Sequence, residues 1–180
     1  MKFLLISILL LFMTPPTATK LDFGKKKFGS DWLIINDGVM GGLSQGEVAF
    51  TNNSVIFKGR VSLENNGGFS SFRSPYGSID LSKFTSVKMR VRTNGSKFGF
   101  TLSTDTRFYI PNYKKVFSTE AGQWKTFTFQ LRDFDQYRIG RATGNKIPEE
   151  YLSKIIRMGF ITNFKAEKDF SLEIDYLEFK

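Results

Sequence analysis

The chain repeats short runs in which apolar and polar residues alternate, and this period of two constrains its fold more than any other feature. Such a run places its apolar side chains on one face of a strand and its polar side chains on the other. Antiparallel sheets have this pattern when one face packs on a core and the other meets water. The apolar positions of these runs are Val55, Phe57, Val61 and Leu63, with Gly59 among them; Val87, Met89 and Val91; Phe98, Phe100 and Leu102; Phe127, Phe129 and Leu131; and Phe170, Leu172 and Ile174.

Turn-forming sequences separate these runs and favour an all-β fold with little helix. Asn94-Gly95 lies between two alternating runs and therefore predicts a β-hairpin. Near the C-terminus the alternation slips, which predicts a β-bulge close to Tyr176. Short helices are predicted only at residues 81–84 and 149–155. We therefore predict an antiparallel jelly-roll β-sandwich with one or two short helices.

The first 18 residues have the pattern of a secretory signal peptide. Lys2 precedes a short apolar stretch that ends at Met13, and two prolines then come before the small residue Ala18. This stretch is short for a membrane span, so a cleaved signal is favoured over an uncleaved anchor. We expect export to the periplasm or the extracellular space, with no stable membrane span after cleavage. Residues 19–27 are predicted to form a mobile basic arm, and residues 28–180 a single β-sandwich domain.

Histidine and cysteine are both absent from the sequence. Their absence excludes Ser-His and Cys-His nucleophile pairs, zinc sites built from these ligands, and disulfide bonds. Asp133 and Asp135 lie two residues apart and are candidates for the carboxylate pair of a glycosidase. Carboxylates at strand ends are more often solvated or capping groups, and the sequence therefore predicts a non-enzymatic protein without a cofactor.

The charge balance is strongly basic, with a formal net charge of +9. A basic exported protein tends to meet anionic surfaces, such as phosphorylated glycans or lipid headgroups, although a solvated basic surface is the favoured interpretation. No nucleic-acid recognition motif accompanies the charge, so nucleic acid is not an expected partner.

Two glycine-rich segments are predicted to be structural loops, because clustered glycine marks backbone that needs unusual torsion angles or close approach. Asp37 opens the first segment and is a candidate binding residue, either for a ligand or for Ca²⁺. An aspartate that holds its own turn is the favoured alternative, and no metal is expected. The glycines of these loops are Gly38, Gly41 and Gly42 in the first and Gly67 and Gly68 in the second.

A basic stripe is predicted on one strand, because Lys88, Arg90 and Arg92 alternate with the apolar residues of the same run. Three like charges on one strand face repel one another unless acidic or polar groups lie across them. Glu173 and Asp175, on the polar face of the last strand, are candidates for that role. Aromatic platforms with polar groups are typical of sugar-binding sandwiches, which gives a set of candidate binding residues. That set is Asp37, Arg73, Arg90, Arg92, Tyr109, Tyr113, Trp124 and Asp175.

Several motifs, taken in their order along the chain, resemble the complex I intermediate-associated protein 30 family. This is the family of mitochondrial complex I assembly factor 1 and its bacterial relatives. The resemblance covers residues 28–179 and implies a galactose-binding-like β-sandwich with a chaperone-like role in assembling respiratory complex I, the NADH:ubiquinone oxidoreductase. The motifs are Asn36-Asp37-Gly38-Val39-Met40-Gly41-Gly42-Leu43-Ser44, Gly67-Gly68-Phe69-Ser70-Ser71-Phe72-Arg73-Ser74-Pro75, Asp80-Leu81-Ser82-Lys83-Phe84, Trp124-Lys125-Thr126-Phe127, and Leu172-Glu173-Ile174-Asp175-Tyr176-Leu177-Glu178-Phe179.

Two functions of different classes follow from these observations. The first is a binding or assembly-factor protein whose partner is a membrane or respiratory-complex subunit. The family's mitochondrial member acts in the matrix, which corresponds to the bacterial cytoplasm, whereas the predicted signal directs this chain to the opposite side of the membrane. The fold and binding character therefore transfer better than the named partner. The alternative is an exported carbohydrate-binding module whose partner is a glycan, and an enzyme acting on glycans is a remote third.

Overall fold

Thirteen β-strands dominate the computed structural model, which describes residues 18–180 apart from the side chains of Val39 and Met40. Short 3₁₀ helices lie at Asp37–Met40, Glu64–Asn66, Leu131–Asp133 and Glu149–Lys154. The predicted signal peptide falls outside the described residues, except for Ala18. The strands are β1 (Thr19–Asp22), β2 (Leu33–Asn36), β3 (Gln45–Phe50), β4 (Val55–Val61), β5 (Ser70–Arg73), β6 (Ser86–Thr93), β7 (Phe98–Ser103), β8 (Asn112–Phe117), β9 (Lys125–Gln130), β10 (Asp135–Arg138), β11 (Arg141–Lys146), β12 (Arg157–Thr162) and β13 (Lys168–Phe179).

The strands form two antiparallel sheets that pack face to face. The first sheet has the order β3-β4-β13-β6-β9, and β1 also pairs with β13. The second sheet has the order β11-β10-β8-β7-β12-β5-β2. This architecture confirms the predicted all-β antiparallel sandwich.

The inner faces of the two sheets meet in a core rich in phenylalanine. The predicted inward residues of β6, β7 and β13 are all buried, and Phe127 and Phe129 of β9 are half-buried. The prediction for Leu63 is wrong, because β4 ends at Val61 and the Leu63 side chain beyond it is 41% exposed. Ring pairs that cross between the sheets include Phe57 with Phe72 at a centroid distance of 6.1 Å.

The predicted hairpin at Asn94-Gly95 is wrong, because the two strands that flank this turn belong to different sheets. β6 lies in the first sheet and β7 in the second. The turn itself is present, with a positive φ of 89° at Gly95. It carries the chain across the edge of the sandwich and does not join paired strands.

Three smaller predictions have mixed outcomes. The bulge near Tyr176 is confirmed by a shift in the pairing of β13 with β6 between Ile174 and Tyr176. A helix at residues 81–84 is wrong: this segment is a turn in which the N–H group of Phe84 donates to the carbonyl of Leu81 at 3.0 Å. The helix predicted at 149–155 is present as the 3₁₀ helix Glu149–Lys154, which follows Pro148.

The segment predicted as a mobile arm, residues 19–27, is partly built into the fold. Strand β1 pairs with the last strand over Thr19–Asp22, and the ring of Phe23 is fully buried beside Trp32 at a centroid distance of 5.4 Å. The sandwich therefore begins at Thr19, and Phe28 is not its first residue. Within residues 18–180, no helix has the length and apolar character needed to cross a bilayer.

Phe57→Ala is expected to lower the free energy of unfolding by about 3–5 kcal/mol, the usual cost of removing a buried ring. Phe57 is fully buried and contacts rings from both sheets, Phe72 and Phe98 on one and Phe170 on the other. Urea denaturation measures the loss.

The matched control is Phe108→Ala, because Phe108 is 79% exposed. Its free energy of unfolding should stay within about 0.5 kcal/mol of the wild type. Equal losses in the two variants would contradict the placement of Phe57 in the core.

Candidate functional site

The pairing of β13 with β6 brings the basic stripe opposite two carboxylates. Arg92 pairs in register with Glu173, and Arg90 pairs with Tyr176 on the other side of the bulge. The extra residue in the bulge is Asp175, which leaves Ile174 and Leu177 both facing the core. The sequence pattern that slipped at this point therefore marks the place where an additional acidic side chain points outward.

Each arginine of the stripe forms an ion pair. Arg90 Nη1 lies 2.5 Å from Asp175 Oδ2, and Arg92 Nε lies 2.5 Å from Glu173 Oε2. Glu173 is the more buried of the two acids, with its side chain 12% exposed, and it also accepts a hydrogen bond from Ser54 Oγ at 2.5 Å. The carboxylates thus offset the repulsion that the stripe would otherwise produce.

Trp124 joins this cluster from the turn before β9. Its ring lies under both guanidinium groups, with centroid distances of 4.4 Å to Arg90 and 5.0 Å to Arg92. Cation–π contacts of this kind favour a fixed side-chain arrangement. The tryptophan, two arginines and two carboxylates therefore form one connected surface cluster.

The cluster forms one wall of a groove on the outer face of the first sheet, with a volume of 720 Å³. Strand β1 and the loop after it contribute Lys20, Asp22 and Lys25 to the opposite side. The β3–β4 turn contributes Thr51 and Asn53. Four cationic and three anionic side chains line the groove, so its charge alternates and is nearly balanced. A ligand here would need both donors and acceptors.

Four of the eight predicted binding residues lie in this groove, namely Arg90, Arg92, Trp124 and Asp175. The others are elsewhere. Tyr113 is a core residue, 1% exposed. Tyr109 lies in the loop between β7 and β8, where its ring contacts Phe108. Arg73 lies on β5 in the second sheet, away from the stripe.

Asp37, the remaining predicted residue, is buried inside the glycine loops and is not among the residues that line the groove. Its Oδ2 accepts hydrogen bonds from Ser44 Oγ at 2.5 Å and from the backbone N–H groups of Gly68 and Phe69 at 2.6 and 3.1 Å. Its Oδ1 accepts from the Ser44 N–H group at 3.0 Å. Burial acts to raise the pKa of the Asp37 carboxyl, but these hydrogen bonds together outweigh it and the pKa is lowered. The carboxylate therefore fastens the two loops to each other.

The glycines of these loops make room for that carboxylate. A Cβ atom on Gly42 would overlap Asp37 Oδ1 and Cγ, and one on Gly67 would lie 2.6 Å from Asp37 Oδ2. Gly41 has a φ of 86° and ends the 3₁₀ helix, so its role is conformational. Among residues 18–180, no group of three or more acidic side chains is placed to hold a metal ion.

Sequence reasoning missed the N-terminal part of the groove. Lys20 and Asp22 were assigned to a mobile arm, and no local signal indicates that β1 pairs with a strand more than 150 residues away. Ser54 is not among the predicted binding residues, yet its hydroxyl donates to Glu173. Long-range pairing creates both contacts, and a single sequence does not carry that information.

Gly42→Ala is expected to lower the free energy of unfolding by about 1–3 kcal/mol, because the added methyl group displaces the Asp37 carboxylate. Gly38→Ala is the matched control in the same loop, since nothing lies within 4 Å of its Cβ position. Its effect should stay within about 0.5 kcal/mol. Urea denaturation measures both variants.

A double-mutant cycle identifies the cause. In an Asp37→Gly background, most of the cost of Gly42→Ala should disappear, because the Oδ1, Cγ and Cβ atoms of Asp37 that the methyl group meets are all gone. An undiminished cost in that background would show that the glycine is needed for another reason.

The fold of this chain is similar to that of several solved carbohydrate-binding modules. A family 11 carbohydrate-binding module of the cellulosomal cellulase Lic26A-Cel5E of Clostridium thermocellum superposes with a TM-score of 0.65 at 12% identity, covering 91% of this chain and 95% of the module. A family 11 module from the same organism, in complex with a β-1,3-1,4-mixed-linked tetrasaccharide, gives 0.63 at 12% identity, with 89% and 94% covered. A point mutant of the family 29 module CBM29-2 gives 0.53 at 9% identity, with 91% of each chain covered. At these identities the likeness establishes the galactose-binding-like sandwich fold.

The comparison of sequences identifies the family. No protein among those with curated descriptions matches the chain. The family model described as complex I intermediate-associated protein 30 matches residues 21–174, which is most of the described sandwich from β1 to β13. The chain therefore belongs to the complex I intermediate-associated protein 30 family.

Proposed function

We propose that this chain is a non-catalytic binding protein whose groove recognises a protein partner in the assembly of respiratory complex I, as the name of its family implies. The observation that carries the proposal is the connected cluster of Trp124, Arg90, Arg92, Glu173 and Asp175 on a surface with no catalytic constellation beside it among the described residues. Tryptophan and arginine are the residue types most enriched where protein interfaces gain their binding energy.

The balanced charge of the groove favours a polar protein segment over a simple ion. Each arginine already has a carboxylate, so an isolated anion would have to compete with Glu173 or Asp175. A protein segment with both acidic and basic side chains can form new ion pairs with the arginine and with the carboxylate of each existing pair. Charge complementarity of this kind contributes mainly to specificity and association rate.

The site of action follows from the predicted signal peptide and is part of this proposal. If residues 1–18 are removed during export, the groove meets the partner on the periplasmic or extracellular side. The partner would then be a membrane subunit that exposes a segment on that side. Intact-mass measurement of the protein from its native host tests the cleavage, and a full-length mass would contradict it.

The double variant Arg90→Ala and Arg92→Ala is expected to fold normally and to lose its partner. The more exposed Arg90–Asp175 pair contributes only about 0.2–1 kcal/mol, whereas loss of Arg92 leaves Glu173, whose side chain is 12% exposed, with Ser54 as its remaining side-chain donor; the melting temperature should therefore fall while the fold is retained. Pulldown from host membranes, with quantitative mass spectrometry of NADH:ubiquinone oxidoreductase subunits, should show a loss of at least about tenfold, equivalent to about 1.4 kcal/mol.

The control double variant is Lys58→Ala and Arg60→Ala. It removes the same charge from the same outer face, where Lys58 pairs with Glu47 and Arg60 with Asp169, but neither residue lines the groove. It should retain the partner. If the stable groove variant recovers as many complex I subunits as the wild type, these arginines are not part of the site. If neither the wild type nor any variant recovers these subunits, the assembly role is wrong.

Carbohydrate binding is the second candidate function, favoured by the similarity of the fold to several carbohydrate-binding modules. The groove has a half-buried tryptophan and neutral polar groups on Thr51 and Asn53, a combination that suits sugar hydroxyls and C–H faces. Trp124 would provide the apolar surface.

Calorimetry with the β-1,3-1,4-mixed-linked tetrasaccharide tests this second function. Binding by the wild type, lost in Trp124→Ala and retained in Lys58→Ala with Arg60→Ala, is the expected result. Loss of Trp124 also removes the ring beneath both arginines, so circular dichroism and a melting curve accompany the titration. An absence of heat with this and other neutral oligosaccharides would reject a neutral glycan as the groove's ligand.

A further inference from the structure

The outer face of the second sheet holds three cationic side chains that have no acidic partner among the described residues. Arg73 on β5, Arg157 on β12 and Lys114 on β8 all alternate with residues that face the core. Arg73, Gly159, Thr101 and Lys114 follow one another in register across four adjacent strands. Arg157 lies two residues before Gly159 and therefore on the same face.

These cations are unusually buried for an outer sheet face. Arg157 is 6% exposed and Lys114 is 8% exposed, while Arg73 is half-buried. Burial, with Arg157 close by, lowers the pKa of Arg73, and burial lowers the pKa of Lys114 to about 8. Desolvated charge of one sign is costly unless an opposite charge approaches it.

No described acidic residue compensates this charge. The ion pairs within 4.0 Å among residues 18–180 involve none of the three side chains. Asp135 is next to Lys114 in the row, but its carboxylate pairs with Lys115 at 3.5 Å and with Lys146. Residues 1–17 contain no aspartate or glutamate, so they have no acidic side chain to supply.

The donors of these side chains are only partly used. Arg73 donates from Nε to Ser71 Oγ at 2.9 Å, and Arg157 donates from Nε to the carbonyl of Ser74 at 2.6 Å. Among the described residues, the terminal amino groups of Arg73 and Arg157 make no hydrogen bond. In the same part of the chain, every buried side-chain nitrogen or oxygen that is sealed from solvent has a hydrogen-bond partner, so these amino groups are not sealed. These amino groups therefore keep contact with solvent, and a guanidinium edge binds a carboxylate or sulfate in a bidentate manner.

Two glycines let the cations lie flat on the sheet. A Cβ atom on Gly99 would lie 2.4 Å from Lys114 Cδ, and one on Gly159 would lie 2.6 Å from the carbonyl oxygen of Phe72 and 2.9 Å from Arg73 Cγ. Arg73 thus lies over β12 and Lys114 over β7. Lys114 Nζ donates to Asn163 Oδ1 at 2.6 Å and lies 3.8 Å from the centre of the Tyr137 ring.

Aromatic and neutral polar groups border the cations. Arg157 lies 4.4 Å from the ring centre of Tyr76, which is 53% exposed. Thr101 and Asn163, both half-buried, contribute a hydroxyl and an amide group on the same side. The surface therefore combines fixed positive charge with the groups that sugar hydroxyls and sugar rings contact.

We propose that this face binds an anionic saccharide through the terminal amino groups of Arg73 and Arg157 and the ammonium group of Lys114. The choice of a saccharide as the ligand rests on the second candidate function above. The location of the site rests instead on the uncompensated positive charge of these three side chains. An acidic peptide is the less suitable occupant. Strands β5, β12, β7 and β8 are each paired on both sides, so no sheet edge is open to a peptide backbone.

Calorimetry with α-1,4-linked trigalacturonate, with its methyl ester and with a sulfated heparin tetrasaccharide tests the proposal. Trigalacturonate or the sulfated probe should bind and the uncharged ester should not, and the two charged probes distinguish carboxylate from sulfate. Arg73→Gln and Lys114→Met should each weaken binding at least about tenfold. Arg60→Gln, an exposed ion-paired arginine on the other sheet, is the matched control and should leave binding unchanged.

Melting temperature supplies a second readout. Lys114→Met removes a desolvated charge and should raise the melting temperature while it weakens binding, a trade-off typical of functional residues. A lowered melting temperature with unchanged binding would assign Lys114 a structural role and overturn the proposal. Equal binding of hexaglutamate would overturn the choice of a saccharide, and failure of both charged probes would overturn the site.

The groove variants keep this test separate from the previous one. Arg90→Ala with Arg92→Ala should leave anionic saccharide binding intact, because the groove is on the opposite side of the sandwich. Loss of trigalacturonate binding in that variant would move the anion site to the groove and contradict the present proposal.

Discussion

The position of β13 between β4 and β6 is the constraint on which the first sheet depends. Without this strand, the sheet would separate into the pairs β3–β4 and β6–β9, and isolated two-stranded units are marginally stable in water. The same strand places Phe170, Leu172 and Ile174 in the core and Glu173 and Asp175 in the groove. Core and groove therefore share one backbone, and a slip of one residue in its register would exchange their side chains.

The two outer faces of the sandwich differ in how their positive charges are compensated. On the first sheet, Arg90 and Arg92 have carboxylate partners from the neighbouring strand. On the second sheet, Arg73 and Lys114 are bordered by hydroxyl, amide and aromatic groups. The ion pairs of the first sheet stabilise the isolated protein. The cations of the second sheet, which lack such partners among the described residues, can still attract a negatively charged ligand. One fold thus presents two chemically different surfaces.

Much of the fold was predictable because side-chain alternation along a strand is a local property. It identified the inward residues of β6, β7 and β13 and the outward position of Arg90 and Arg92. Sheet membership is not local: Asn94-Gly95 forms the expected turn, yet nothing in its sequence says that the next strand joins the other sheet. The same limit explains why the sequence does not predict the cluster of Arg73, Lys114 and Arg157. These residues share a face only because their strands are neighbours in the folded sheet. Asp37 is a similar case, since its bonds reach Gly68 and Phe69 far along the chain.

The glycines beneath the cations of the second sheet have an evolutionary consequence. Gly99 and Gly159 set how close Lys114 and Arg73 lie to the backbone. A larger residue at Gly99 would lift Lys114 towards water, where solvent screens its charge, whereas one at Gly159 would collide with the backbone of Phe72 and Arg73. Relatives that differ only at position 99 would therefore diverge in the ligands they attract while their buried phenylalanines stay the same. In such a lineage, the charge that this face presents can change at position 99, whereas the packing of β12 against β5 keeps Gly159 fixed.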